Sequence, residues 1–126
     1  FHTAVNKFCY KTVLKEEVPI WNNAMNQYRP YLSLSDAIET FIFIINNNFF
    51  NQQIYNVLTN NYTVREILKM IKNNHFNLKI RKTKSPILNQ NSYKVNDEKI
   101  RKFKIFSNKD IKKDISATLK LLKSLY

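Results

Sequence analysis

Apolar residues recur along this chain in two rhythms, one near 3.6 residues and one near 2. Val5, Phe8, Cys9 and Val13 share a helical face, so the spacing predicts an amphipathic helix from Thr3 to about Lys15, with Thr3 placed to cap it. Val18, Ile20 and Trp21 around Pro19 predict a short strand, and Asn22 to Asn26 a polar turn. The stretch Gln27-Tyr28-Arg29-Pro30-Tyr31-Leu32-Ser33-Leu34 then alternates. Tyr28, Pro30, Leu32 and Leu34 fall on one side, Arg29, Tyr31 and Ser33 on the other. Pro30 keeps Arg29 out of the helical region of backbone space, so the arginine sits on extended chain. Ser35 is placed to cap the next helix, with Asp36 in its first turn at the positive end of the dipole. Ile38, Phe41, Ile42 and Ile45 share one face of that helix, which predicts a buried face, and Asn46-Asn47-Asn48 ends it.

Further on, Gln53 to Leu58 reads as a strand, with Ile54, Tyr55, Val57 and Leu58 buried on one or both faces. Thr63 and Glu66 have capping-box spacing, and Val64, Ile67, Leu68 and Ile71 form the helix face behind them. Phe76, Leu78 and Ile80 alternate with Asn77, Lys79 and Arg81, predicting a half-buried strand; Pro86 interrupts, and Ile87 to Asn91 is a loop. Tyr93 and Val95 suggest a short extended piece before Asn96, which is placed to cap a helix opened by Asp97 and Glu98. Ser107 is placed to cap a last helix through Leu122, with Ile111, Ile115, Leu119 and Leu122 inward and Asp110 at its favourable end. The expected class is α+β: a small mixed sheet covered by helices, forming a single domain over 1–126 without internal repeat or long linker.

Composition narrows what such a domain can do. At 126 residues, with 44% hydrophobic and 24% charged, the chain can bury roughly two thirds of its unfolded surface and is not of disordered type. It contains no glycine, which excludes phosphate-cradling loops of the GxGxxG and GxxxxGK[ST] kinds. A net charge of +12 favours anionic partners, although the lysines are spread along the chain and the surplus of Asn, Lys, Ile, Phe and Tyr also fits an AT-rich coding sequence. Cys9 is the one cysteine, so no intrachain disulfide or cysteine metal cluster forms, and a reducing, cytoplasmic setting is expected. The apolar run from Thr40 to Ile45 is too short to span a membrane, and no signal peptide is visible. The chain starts at Phe1, without a methionine and directly on a helical pattern, which reads as a cut end.

The candidate chemistry centres on Arg29. A guanidinium held on stiff extended chain just ahead of a helix suits an anion, because its fork matches two phosphate oxygens; a structural ion pair is the alternative use. His2 and His75 lie far apart in sequence, and Asp36, Glu66, Asp97, Glu98 and Asp110 all sit where a helix dipole accounts for them. No pair stands out as general acid and base, and no catalytic or metal-ligating motif is present.

Three segments together resemble the C-terminal, substrate-binding part of extended short-chain dehydrogenases/reductases, in particular NAD-dependent nucleotide-sugar epimerases and dehydratases. They are Phe1-His2-Thr3-Ala4-Val5-Asn6-Lys7-Phe8-Cys9; Gln27-Tyr28-Arg29-Pro30-Tyr31-Leu32 with Asp36-Ala37; and a third group running through Tyr55-Asn56-Val57, Thr63-Val64-Arg65-Glu66-Ile67 and Asn89-Gln90-Asn91-Ser92-Tyr93 to the closing helix. The resemblance implies that the chain is the C-terminal subdomain of a parent α/β Rossmann enzyme. It also implies that Arg29 contacts the diphosphate of a nucleotide-diphosphate sugar, with Asn6 at the first helix beside it and His2, Lys84, Asn89 and Gln90 as further substrate contacts. Relatives dimerise through helices of the other half, so the parent is expected to be a homodimer.

This chain departs from the family's pattern where the catalysis lies. The family uses a Gly-rich dinucleotide loop and a Tyr-x-x-x-Lys pair, and none of Tyr10, Tyr28, Tyr31, Tyr55, Tyr62 or Tyr93 has a lysine four positions on. The expectation is therefore a fragment that binds no cofactor by itself, with NAD(P) held by a Rossmann half not included in it, and that is inactive alone. The rival readings are a basic nucleic-acid-binding module, resting on charge and interspersed aromatics, and a domain that only packs against a protein partner.

Overall fold

The computed structural model describes residues 3–74, 77–84, 91–105 and 110–126. Helix α1 (Ala4–Val13) begins after Thr3, which has extended backbone but makes no capping bond with its side chain. It turns Phe8, Cys9 and Thr12 inward, and the Thr12 hydroxyl donates to the Phe8 carbonyl at 2.7 Å. Lys15 then takes a left-handed φ of 58°, a position glycine would favour in a chain that has none.

Among the described residues, two separate ribbons replace the single mixed sheet expected. Strand β1 (Glu17–Trp21) runs parallel to a late strand, Lys79–Thr83, with Glu17 opposite Lys79 and Trp21 opposite Thr83. Strand β2 (Tyr28–Tyr31) pairs antiparallel with β3 (Asn60–Thr63), Tyr28 opposite Thr63 and Tyr31 opposite Asn60. Pro30 is tolerated because a two-stranded ribbon leaves each strand an edge where no ladder bond is needed. The segment Gln53–Leu58, expected to be a further strand, has no regular secondary structure and joins neither ribbon.

Between β2 and β3 lies helix α2 (Leu34–Asn46), and after β3 comes α3 (Val64–Asn74). The late strand 79–83, numbered β4, is followed by a single turn, α4 (Glu98–Arg101), and by α5 (Lys112–Leu125). The core gathers Phe8 and Cys9 of α1, Val18 and Ile20 of β1, Ile67, Leu68 and Ile71 of α3, and Ile115, Leu119 and Leu122 of α5. Fully burying a side chain of this kind contributes about 1.5–3 kcal/mol, so α1, α3 and α5 close over β1 for a physical reason. β4 lies outside β1 and is largely exposed; Ile80 does not show the half-buried alternation expected of it, and Phe76 is outside the described residues.

Helix α2 departs furthest from expectation. Its cap is Ser33 rather than Ser35, and the Ser33 hydroxyl accepts from the Asp36 N–H at 3.1 Å. Its buried residues are Asp36 and Thr40, while Ile38, Phe41, Ile42 and Ile45 are exposed at 48%, 66%, 52% and 67%. The reason is local: Thr59 donates its hydroxyl to the Asp36 carboxylate and accepts from the Ser33 N–H at 2.8 Å, which turns the polar side of the helix inward. At α4 and α5 the N-cap positions are Asp97, not Asn96 as expected, and Ile111, and neither makes a capping bond with its side chain. Asn96 accepts from the Glu98 N–H at 2.8 Å as α4 opens, and Asp110 accepts from the Lys112 N–H at 2.9 Å ahead of α5. Ser107, expected to cap that last helix, lies outside the described residues.

The capping box at α3 is reciprocal. The Thr63 N–H donates to the Glu66 carboxylate at 2.7 Å, and the Glu66 N–H donates to the Thr63 hydroxyl at 3.2 Å. Those bonds from Thr63 hold the Glu66 carboxyl below its ordinary range. Its contribution is therefore present above the usual glutamate pKa and lost as pH falls through the lowered value. Thr63→Ala is expected to cost about 0.5–2 kcal/mol, read as a lower urea midpoint at unchanged slope. Glu66→Gln should flatten the acid side of the stability curve, and an unchanged midpoint for Thr63→Ala would show that the box contributes nothing.

Candidate functional site

Arg29 sits on β2 with its backbone extended between Tyr28 and Pro30. Its guanidinium is half-buried: Nη1 donates to the Tyr28 carbonyl at 2.7 Å and Nη2 to Gln27 Oε1 at 3.0 Å. Among the described residues no carboxylate pairs with it. Both acceptors are neutral and use only two of the five N–H donors, so the positive charge is oriented without being neutralised. The Tyr93 ring adds a cation–π contact, its centroid 5.1 Å from Cζ.

That ring is held by the segment 91–97. The Tyr28 N–H donates to the Ser92 hydroxyl at 2.9 Å, and the Asn61 amide both donates to and accepts from the backbone of Val95, at 2.9 and 3.0 Å. Two stretches more than sixty residues apart in sequence thus meet at Arg29.

Arg29 lines a cavity of about 340 Å³ together with Lys7, Trp21, Gln27 and Tyr31. A second cavity, of about 930 Å³, is lined by Asn6, Leu34, Tyr31 and Asp114 among others. Their electrostatics differ in sign. The first carries two cations. On the second, burial raises the Asp114 carboxyl above its ordinary range, and the neighbouring Asp36 charge pushes it further the same way. Asp36 is fully buried; one of its oxygens takes the Thr59 hydroxyl, while the other, like Asp114 Oδ2, has no hydrogen-bond partner among the described residues. Negative charge is therefore favoured at the first cavity and opposed at the Asp114 wall of the second.

The sequence candidates separate accordingly. Arg29 lines the cationic cavity, whereas Asn6 is exposed on α1 and lines the acidic one. Lys84 is exposed just past β4 and lines neither. His2, Asn89 and Gln90, and His75 as well, lie outside the described residues. Sequence reasoning overlooked Lys7, Trp21 and Tyr93. Trp21 was open to inference, since it is out of phase with Val18 and Ile20, both buried, in a strand of period two. Lys7 carries no such signal, because only the docking of α1 beside β1 places it there.

Cys9 is sealed in the core, and burial pushes its thiol up to about 12, so it is not a nucleophile at neutral pH. Among the described residues no group of three His, Cys, Asp or Glu side chains could hold a metal ion, and no helix is long and apolar enough to cross a membrane.

Elements and cavities together define an α+β domain with a cationic and an acidic hollow on either side of Tyr31. No protein-family model and no curated protein sequence matches the chain. Its fold is similar to part of a solved structure, that of the PbgP3 protein from Burkholderia pseudomallei, with a TM-score of 0.59 and 17% identity over 94% of this chain. The chain spans 41% of the length of that protein. At that identity the likeness is one of fold alone.

The raised Asp114 carboxyl has a testable sign. A carboxyl that holds its proton more tightly when folded stabilises fully below the ordinary aspartate pKa of about 4 and loses that contribution as pH rises through the raised value. Asp114→Asn is expected to raise the melting temperature at pH 7 and to flatten the decline above pH 4. A variant less stable than the parent at pH 7 would contradict the placement of that carboxyl.

Proposed function

We propose that this chain is the nucleotide-sugar-binding portion of an NAD-dependent sugar epimerase or dehydratase of the extended short-chain dehydrogenase/reductase type. The observation that carries this reading is Arg29, a guanidinium oriented by neutral acceptors, unpaired with any carboxylate among the described residues, and lining an open cavity beside a second cation, Lys7. A nucleoside diphosphate supplies what that cavity lacks. Two phosphate oxygens match the guanidinium fork, the Lys7 ammonium adds a point charge, and Trp21 and Tyr31 offer aromatic walls to a base or sugar. The order of family-like segments and a fold shared with part of a longer protein support the same reading.

The dinucleotide does not fit here. A chain without glycine has no loop that lets backbone approach a pyrophosphate closely, so the cofactor and the hydride step belong to a separate Rossmann part. In isolation this chain binds sugar nucleotide and turns nothing over.

Titration of UDP-glucose into the chain, followed by amide and side-chain nitrogen NMR, tests the assignment. Shifts are expected at the Arg29 Nε and the Trp21 indole. A charge-assisted contact worth about 1.5–3 kcal/mol means that Arg29→Ala weakens binding roughly ten- to hundred-and-fifty-fold. Equal affinity in Arg29→Ala would contradict the diphosphate role. Tight oligonucleotide binding that falls steeply with salt and ignores Arg29 would favour a basic nucleic-acid surface instead.

A further inference from the structure

Strand β4 has an open edge. It pairs with β1 on one side and, among the described residues, with no strand on the other, and Lys79 to Lys82 are all exposed. The Asn22 N–H donates to the Thr83 carbonyl at 3.0 Å, so Thr83 turns its backbone oxygen toward β1. Backbone direction alternates along a strand, so Lys79 and Arg81 face β1 in the same way. The N–H and C=O groups of Ile80 and Lys82 therefore point away from it. A row of outward-facing backbone groups is a template for a further strand.

The side chains on this edge are mostly cationic. Of Lys79, Arg81, Lys82 and Lys84, only Arg81 meets a carboxylate among the described residues, that of Glu17 at 3.4 Å, with both partners well exposed. The imbalance reaches beyond the strand: between Glu66 and Asp97 no residue is acidic, and seven are lysine or arginine. Lysine on an edge strand ordinarily keeps copies of a protein from pairing. The same charges also select. Like charges set opposite each other destabilise a strand pair and opposite charges stabilise it, so this edge rejects a second copy of itself and accepts an acidic strand.

We infer that the outer edge of β4 is a docking site for an acidic, extended segment of another polypeptide, which joins β1 and β4 as a third strand. The backbone of that segment bonds the free N–H and C=O groups of Ile80 and Lys82. Acidic side chains at alternate positions then lie beside Lys79 and Arg81 on one face. An apolar side chain lies beside Ile80, itself 42% exposed, on the other. A nucleic acid or an acidic lipid surface answers the charge but not the row of backbone groups. No aromatic residue lies between Lys79 and Lys84 to stack a base. The site goes beyond the sugar-nucleotide reading and does not depend on Arg29.

The probe is the synthetic peptide acetyl-Glu-Val-Glu-Val-Glu-Val-Glu-amide, titrated into the chain and followed by amide NMR and hydrogen exchange. The Ile80 and Lys82 amides are expected to shift, and to exchange about tenfold more slowly at saturation. Ile80→Pro removes an outward N–H, keeps every charge and leaves the bonds to β1 in place, so it should lose the peptide. The same peptide N-methylated at every residue keeps its charge but has no backbone donors, and it should not bind; this arm leaves the protein unaltered. Lys79→Glu combined with Lys82→Glu should weaken binding about tenfold or more, and so should high salt. Exchange at Ile80 and Lys82 that stays the same in excess peptide would overturn the inference. So would equal binding of the N-methylated peptide, or equal protection by oligothymidylate, because charge alone would then account for the contact. Arg29→Ala should bind the peptide as the parent does, so the strand site and the nucleotide site stand or fall separately.

Discussion

The hydroxyl of Thr59 sets the orientation of everything on one side of this molecule. It donates to the buried Asp36 carboxylate and accepts from the Ser33 N–H, so one small group joins the start of α2 to the chain entering β3. An unpaired carboxylate in that position would carry a large desolvation cost, which the bonded pair lowers. Once Asp36 faces inward, the helical period commits Ile38, Phe41, Ile42 and Ile45 to the outside. The domain therefore has a closed core on α1, α3 and α5 and an open apolar side on α2.

The same economy of contacts distinguishes the two cavities. Tyr31 borders both, yet Arg29 and Lys7 lie on one and Asp114 on the other, so two adjacent hollows favour ligands of opposite charge. What gives Arg29 its potential is the neutrality of its partners. Had Gln27 been a glutamate, the geometry could be the same and the charge would be spent internally. The late Ser92–Val95 segment reinforces the placement by setting the Tyr93 ring over the guanidinium.

Much of this was legible in the residues. The periodicity of Ile67, Leu68 and Ile71 with the Thr63–Glu66 box predicted α3, and Ile115, Leu119 and Leu122 predicted the inner face of α5. Arg29 on extended chain before a helix was readable from Pro30 and the alternation around it. What period alone could not decide was which face of α2 is buried. An apolar stripe states that a face wants cover, and only the Asp36–Thr59 bond, across 23 residues of sequence, shows that its own domain does not supply it. The unpaired state of Gln53–Leu58 was equally hidden, because strand-like sequence does not name its partner. Tyr93 reaches Arg29, and Lys7 the cavity that Arg29 lines, only through tertiary packing, and no local pattern announces them.

Central to the proposal is that the Arg29 guanidinium, which pairs with no carboxylate among the described residues, receives an external diphosphate. A crystal structure of the chain with UDP-glucose is the most direct measurement of it. The account predicts diphosphate oxygens about 2.7–2.9 Å from the Arg29 nitrogens, inside the cavity shared with Lys7 and Trp21. A sugar nucleotide bound elsewhere, with Arg29 turned onto a carboxylate of its own chain, would contradict it.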